Sequence, residues 1–408
     1  MKKTVLRQYA RLIATVGANV QKGQPVVIMA QLDQPEFVRT LTEECYRAGA
    51  SEVTVEWDYQ PLTKLHVRYQ KPAVLGKVDN WEALRLRHRA ETLPAMIYLE
   101  SEDPDGLAGI NQEKWAKGIQ SRRKIFKPIR DEMEDKYQWC IAAVPGAKWA
   151  KKMFPDLPRG KAVEKLWEAI LFTSRADSDP IEAWQAHNKD LKARCDYLNG
   201  LDLAELEYRA GNGTNLRVGL IPDSRFLAGA ETTLGTRVVF NPNIPSEEVF
   251  ISPMKGKAEG IVYSSRPMAF RGVLIENFSV RFENGRAVEV HAEKNEDALR
   301  TIITMDEGSA MLGECALVPY DSPIRNSGLM FYNTLFDENA ACHLALGLGF
   351  QSCINDFENC TLEECRARGI NNSIMHEDFM IGTPDLAITG ITHSGSRVAI
   401  FRSGNWAF

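Results

Sequence analysis

The sequence predicts two domains. Residues 1–200 read as an α/β half with an open, largely parallel sheet, and residues 201–408 as a β-rich α+β half. Three observations predict this. The 408 residues exceed what a single typical domain contains. The first half alternates apolar, β-branched runs with stretches of helical periodicity, the pattern of βαβ units. After about residue 200 short strand-like runs flank Gly-containing turns, the pattern of hairpins.

The elements follow in order. In MKKTVLRQYARLIATVGANV the apolar residues Leu6, Tyr9, Leu12, Ile13, Val16 and Val20 keep helical spacing. Arg7, Gln8 and Arg11 interrupt any leader-like apolar run, so the basic opening reads as an amphipathic helix. Gly23-Gln24-Pro25 turns the chain into a strand at Val26–Ala30. A helix from Pro35 to Arg47 is stopped by Gly49, and a strand at Glu52–Trp57 completes a right-handed βαβ unit. Further strands are expected at Ala95–Leu99 and Trp139–Val144, and helices at Gly160–Phe172 and Pro180–Leu198. GxGxxG is absent before the first helix, and GNGTN at 211–215 opens no helix, so a dinucleotide fold is not indicated. Beyond residue 200, Ala204–Arg209 with Asn215–Ile221, Phe278–Phe282 with Ala287–Ala292, and the last twenty-odd residues read as three hairpins. Helices are expected only at Asn295–Met305 and in the Ala/Leu-rich stretch Asn339–Leu348.

Composition narrows the function. With 44% hydrophobic and 25% charged residues the chain can build a large core. A net charge of -5 argues against a nucleic-acid partner, which calls for a basic excess. No apolar run approaches the ~20 residues that span a bilayer, so no membrane partner is expected. The eight cysteines include no CxxC pair, and Cys353, Cys360 and Cys365 match no usual zinc spacing. Reduced thiols in a cytoplasmic protein are the reading.

The chemistry concentrates between Glu314 and Asp378. On a strand, His376 and Asp378 of NNSIMHEDFMIG project to one face about 6.5–7 Å apart, with Met375, Glu377 and Phe379 on the other. Such a pair alone is more often a satisfied surface pair. The apolar run Phe379-Met380-Ile381 that follows points instead to a strand entering a core. His343 sits in AACHLAL, read as a helical segment, where a lone histidine is more often a core residue hydrogen-bonded to a carbonyl. Asp337 and Glu338 precede it; helix capping accounts for Asp337 and leaves Glu338 as a candidate ligand or base. Glu314 opens the apolar strand Cys315–Val318 and needs a partner, either an Arg or a metal. The adjacent Glu247-Glu248 is ambiguous at this point. Mixed oxygen and nitrogen donors suit Zn, Co or Mn, and the surplus of carboxylates suits two ions about 3.5–4 Å apart. GxSxG is absent, and the neighbours Cys342 and His343 would diverge by about 100° on a helix, which disfavours serine or thiol nucleophiles.

NPNIPSEEVFISP, MLGECALVPYDSPI, FYNTLFDENAACHLALG and NNSIMHEDFMIG together resemble the metallopeptidase family of aminopeptidase T, aminopeptidase S and PepS, as does the opening YARLIATVGANVQKGQPVVI. The resemblance spans nearly the whole chain. It implies metal ligands at Glu248, Glu314, His343, His376 and Asp378, choosing Glu248 over Glu247. It further implies two divalent ions (Zn, Co or Mn), a C-terminal domain that carries the site, a homodimer, and release of N-terminal residues from peptides by a two-metal-activated water. Glu338 falls in the family's DEN motif, as general base or as support for the ligands. One position departs: the family's tyrosine seven residues after the first histidine ligand is Phe350 here, on the substrate side of the site, and phenyl cannot donate to a developing oxyanion. Two alternatives stay open, a metal-binding protein of the same fold without turnover and a mononuclear iron dioxygenase on the same scaffold.

Overall fold

The computed structural model describes residues 2–270 and 273–408, which form two compact units. The first runs to Gln185 and takes in Ala230–Pro245; the second comprises Ala186–Gly229 and Ser246–Phe408. The return of Ala230–Pro245 to the first unit has no signal in the sequence texture.

The first unit is built on a parallel sheet. Pro25–Gln31 lies between Glu52–Asp58 and Ala95–Glu100, followed outward by Trp139–Ala143 and the short Asn243–Ile244. Parallel neighbours need crossovers, and helices supply them: Pro35–Ala48 between the first two strands and Gln112–Met133 between the third and fourth. Pro35 sits in the first turn, and Gly49 ends the helix with a left-handed φ of 115°, the usual Pro-start and Gly-stop pattern. Fully buried strand residues such as Ile28, Ile97 and Cys140 make the sheet's core. The opening helix, Lys3–Leu12, packs Tyr9 against Phe37 and Trp167 at ring separations of 5.7 and 6.2 Å. The apolar faces of helices Gln60–Tyr69, Asn80–Thr92 and Gln112–Met133 are weak and broken by charges, although Asp79 and Glu82 form a capping box at the start of the second.

The second unit is antiparallel. Among the described residues, one nine-stranded sheet carries the three expected hairpins: Leu203–Arg209 with Asn215–Leu220, Val273–Glu283 with Arg286–Lys294, and Ala387–Thr392 with Arg397–Arg402. A five-stranded sheet packs on it, in the order His376–Met380, His343–Gly347, Leu312–Leu317, Val249–Ile251 and Leu227–Ala228. One expectation is overturned here. Asn339–Leu348 is not a helix; a short turn over Glu338–Ala340 leads into the strand His343–Gly347. Ala and Leu favour helix locally, but this segment is flanked on both sides by strands, and tertiary pairing overrides the propensity.

Candidate metal centre

Period-two alternation builds this site. Across the five-stranded sheet, Glu314 pairs with Ala345 and Ala345 with Asp378, so all three face the same side. The next row sets Ala316 opposite His343 and His343 opposite Met380. Gly347 lies opposite His376. On the reverse face, Leu312, Cys315, Leu317, Leu344, Leu346 and Phe379 enter one continuous apolar core. Leu312–Leu317 and His343–Gly347 thus send their large apolar residues into the core and their ionisable residues to the other side; on His376–Met380, Phe379 enters the core, while Met380 joins His376 and Asp378 on the cavity side. Small Ala316, Ala345 and Gly347 leave room on the ionisable face. Gly347 has φ 107°, and a Cβ there would lie 2.2 Å from the Met375 carbonyl oxygen, so only glycine fits.

Two groups of side chains that could hold a metal ion result. Glu248, Glu314 and His343 form one and Glu314, His376 and Asp378 the other, each with donor atoms within 4.8 Å of one another. Glu314 belongs to both. His343 Nε2 lies 3.2 Å from Glu248 Oε2, and its Nδ1 lies 3.3 Å from the Ala341 carbonyl. His376 repeats the pattern: Nε2 sits 3.0 Å from Glu314 Oε2 and 3.2 Å from Asp378 Oδ1, while Nδ1 meets the Leu348 carbonyl at 2.7 Å. A carbonyl can only accept, so each Nδ1 carries a proton and each Nε2 of the neutral ring presents a lone pair to carboxylate oxygens. Lone pairs facing lone pairs repel. A proton or a metal cation must stand between them. Asp378 Oδ1 is buried and, despite the nearby imidazole, has no donor aligned on it. This donor set and this orphaned oxygen fit a bound cation.

The electrostatics agree. Burial raises the Glu314 carboxyl above its ordinary range, as do Glu248 and Asp378, against the opposing pull of His376. Burial also holds Glu338 well up, reinforced by Asp378 and Glu248. Burial disfavours charge on both imidazoles, yet the surrounding carboxylates win: His343 rises to about 10 and His376 well above its ordinary value. Burial works against charge on Asp378 too, but His376 holds it below the usual range.

The other predicted residues fall around this core. Glu338, half-buried, lines a cavity of about 110 Å3 with His376, Asp378, Met268, Met330 and Met380. Asp337 does not cap a long helix. Its carboxylate accepts the N–H groups of Phe331 and Asn333 at 2.9 and 3.1 Å, and Arg266 approaches to 3.8 Å. Glu247 points away from the ligand groups, with His187 at 4.0 Å. Phe350 packs its ring 5.0 Å from the His376 ring and edge-on to Phe250 at 5.4 Å, with its N–H held by Ser252 Oγ at 2.7 Å. Cys342 faces the core, its thiol bonded to the Val318 carbonyl at 3.2 Å, which removes it from any nucleophile scheme. Sequence reasoning missed Phe250, Asn339 and the carbonyls of Ala341 and Leu348. A carbonyl's role depends on tertiary placement and leaves no mark in residue type.

Comparison with known proteins identifies the family. The chain is 42% identical over 405 residues to aminopeptidase AmpS of Bacillus subtilis, covering 99% of this chain and 98% of that one. It is 39% identical over 406 residues to aminopeptidase T of Thermus thermophilus, with the same coverage. The solved structure of wild-type AmpT from Thermus thermophilus superposes with a TM-score of 0.91 at 38% identity, covering 100% of both chains. A 2,5-dihydroxypyridine dioxygenase from Pseudomonas putida shares the fold at a TM-score of 0.52 and 11% identity, covering 99% of this chain and 96% of that one. The family model described as thermophilic metalloprotease (M29) matches residues 2–406, nearly the whole chain, and so the chain belongs to the M29 family of metallopeptidases.

Proposed function

We propose a co-catalytic, two-cation mechanism for this metal-dependent aminopeptidase, with Zn, Co or Mn as the ions. One observation carries it: two imidazole Nε2 atoms and four carboxylates converge, with Glu314 common to both ligand groups. Glu248 and His343 would hold one ion, His376 and Asp378 the other, and Glu314 both. When bound, such ions lower the pKa of a shared water and polarise the scissile carbonyl. The chain's own residues do the rest. The Nδ1 contacts to the Ala341 and Leu348 carbonyls fix each ring's tautomer and aim. Glu338, on the cavity wall, takes the proton from the attacking water and passes it to the departing amine, which needs a carboxyl raised by burial. The free α-amino group of the peptide is held by a site carboxylate. Phe350, against His376, shapes the substrate side without donating a hydrogen bond.

We further infer a cytoplasmic homodimer. Eight thiols without a disulfide, seven of them buried, support a reducing compartment. Among the described residues no helix is long and apolar enough to cross a membrane. Light scattering of the purified chain tests the dimer.

Metal analysis paired with a panel of aminoacyl-anilides tests the mechanism. Chelation should abolish hydrolysis, Zn, Co or Mn should restore it, and two ions per chain should bind. Protein that takes up no stoichiometric metal under any loading condition overturns the mechanism. A single bound Fe(II) with oxygen consumption would instead mark a dioxygenase. Metal uptake with peptide binding and no cleavage would mark a binding protein.

A further inference from the structure

Asn339 is fully buried in the turn Glu338–Ala340. Its Oδ1 accepts the backbone N–H of Glu247 at 2.6 Å, and its Nδ2 donates to the Leu335 carbonyl at 3.0 Å. The same Nδ2 lies 3.4 Å from Glu338 Oε1. A backbone N–H only donates and a carbonyl only accepts, so the orientation of this amide is settled. Ladder pairing of the ligand-bearing segment starts at Val249, opposite Leu317. Just before it, at Glu247, the backbone is held by a side chain from another turn. That contact is adjacent in sequence to Glu248 at one end and to Glu338 at the other.

We propose that Asn339 is a positioning residue that fixes Glu248 and Glu338 relative to each other. This rests on the roles proposed for those two carboxylates. The Oδ1 contact seats the Glu247-Glu248 backbone so that Glu248 reaches His343, with Glu247 turned toward His187 on the opposite side. The Nδ2 contact occupies one oxygen of Glu338 and leaves the other for the cavity. The two halves of one amide therefore act on two different properties, metal affinity through the acceptor and turnover through the donor.

Two substitutions separate the halves. Asn339→Leu, of similar size, removes all three contacts, the one to the Leu335 carbonyl included. Asn339→Asp keeps an acceptor for the Glu247 N–H but, as a carboxylate, donates neither to Glu338 nor to the Leu335 carbonyl. Chelator competition reads metal affinity, steady-state kinetics on the metal-loaded enzyme read kcat and KM, and circular dichroism with thermal melting confirms folding. Support for the ligands of this kind is worth about 10–100-fold in affinity or activity, so N339L should lose about that much metal affinity. N339D should bind metal within about threefold of wild type, yet lose about tenfold or more in kcat with KM little changed. If N339L does not fold, Asn339→Ser, too short to reach the Glu247 amide, takes its place. Wild-type affinity and kcat in both variants overturn the proposal, and so does an equal loss of metal affinity in both. Failure of the underlying mechanism is distinct, because the wild type itself would then neither bind metal nor cleave peptides.

Discussion

Replacing Glu314 by Gln tests whether one carboxylate serves both ligand groups. Glu314 is buried, lies 3.0 Å from His376, and also belongs with Glu248 and His343. Gln keeps the shape but offers one oxygen and an NH2 donor, so it cannot lend an oxygen to each of two cations. A ligand that binds the folded state stabilises it by about 4 kcal/mol at a thousandfold excess over Kd. In a unit of about 200 residues each kcal/mol moves the midpoint by about 2–4 °C, so saturating metal should raise the wild-type Tm by about 8–16 °C. E314Q should gain less than about 4 °C under the same conditions and should lose peptidase turnover. Scanning calorimetry with and without metal, together with titration calorimetry for stoichiometry, supplies the measurement. Glu247→Gln is the control: facing His187, it should keep the full metal-dependent shift. A wild-type shift and stoichiometry in E314Q would refute the assignment of Glu314 as shared ligand.

Three other outcomes follow from the same geometry. His343 is raised from 6.5 to about 10, so its proton stabilises the metal-free fold fully below pH 6.5 and is lost as pH climbs through about 10. Chelated protein should therefore lose stability across that window while metal affinity rises, and titration calorimetry in two buffers should register proton release; a flat melting profile of the chelated protein would contradict this. Phe350→Tyr should raise kcat by about tenfold or more with little change in KM, since one oxyanion donor is commonly worth more than that; an unchanged kcat means that another group already donates. Gly347→Ala should destabilise by at least about 1–3 kcal/mol in urea unfolding, because it combines a left-handed φ with a clash on the Met375 carbonyl; wild-type stability would show that the strand can relax.

Much of this protein is legible in its sequence where local and tertiary demands agree. Pro35 and Gly49 bracket their helix, and Val26–Ala30 and Glu52–Trp57 lie within strands that begin one residue earlier or end one residue later. The hairpin at Glu283–Arg286 announces itself by its Asn-Gly turn. The fold around His343 was not legible, since AACHLALG carries helical propensity and becomes a strand only through its neighbours on both sides. The His376–Asp378 spacing places both side chains on one face because this segment forms a strand, His376–Met380. Choosing Glu248 over Glu247 required family resemblance; both are buried, and only the direction of each side chain separates them. Asn339 left no trace, because its function lies in two hydrogen bonds to backbone distant in sequence or a turn away.

The interleaving of core and ligand residues on His343–Gly347 and His376–Met380 has a mutational consequence. Two physical demands, core packing and side-chain chemistry, fall on neighbouring residues of the same short strands. Substitutions at Leu344, Leu346 or Phe379 can tune stability while the chemistry on the opposite face is left alone, and changes at His343, His376 or Asp378 can alter chemistry without opening the core. Insertions and deletions have no such freedom. One added residue in either strand would exchange its two faces, sending an imidazole into the apolar core and a leucine or phenylalanine to the face of the candidate metal centre.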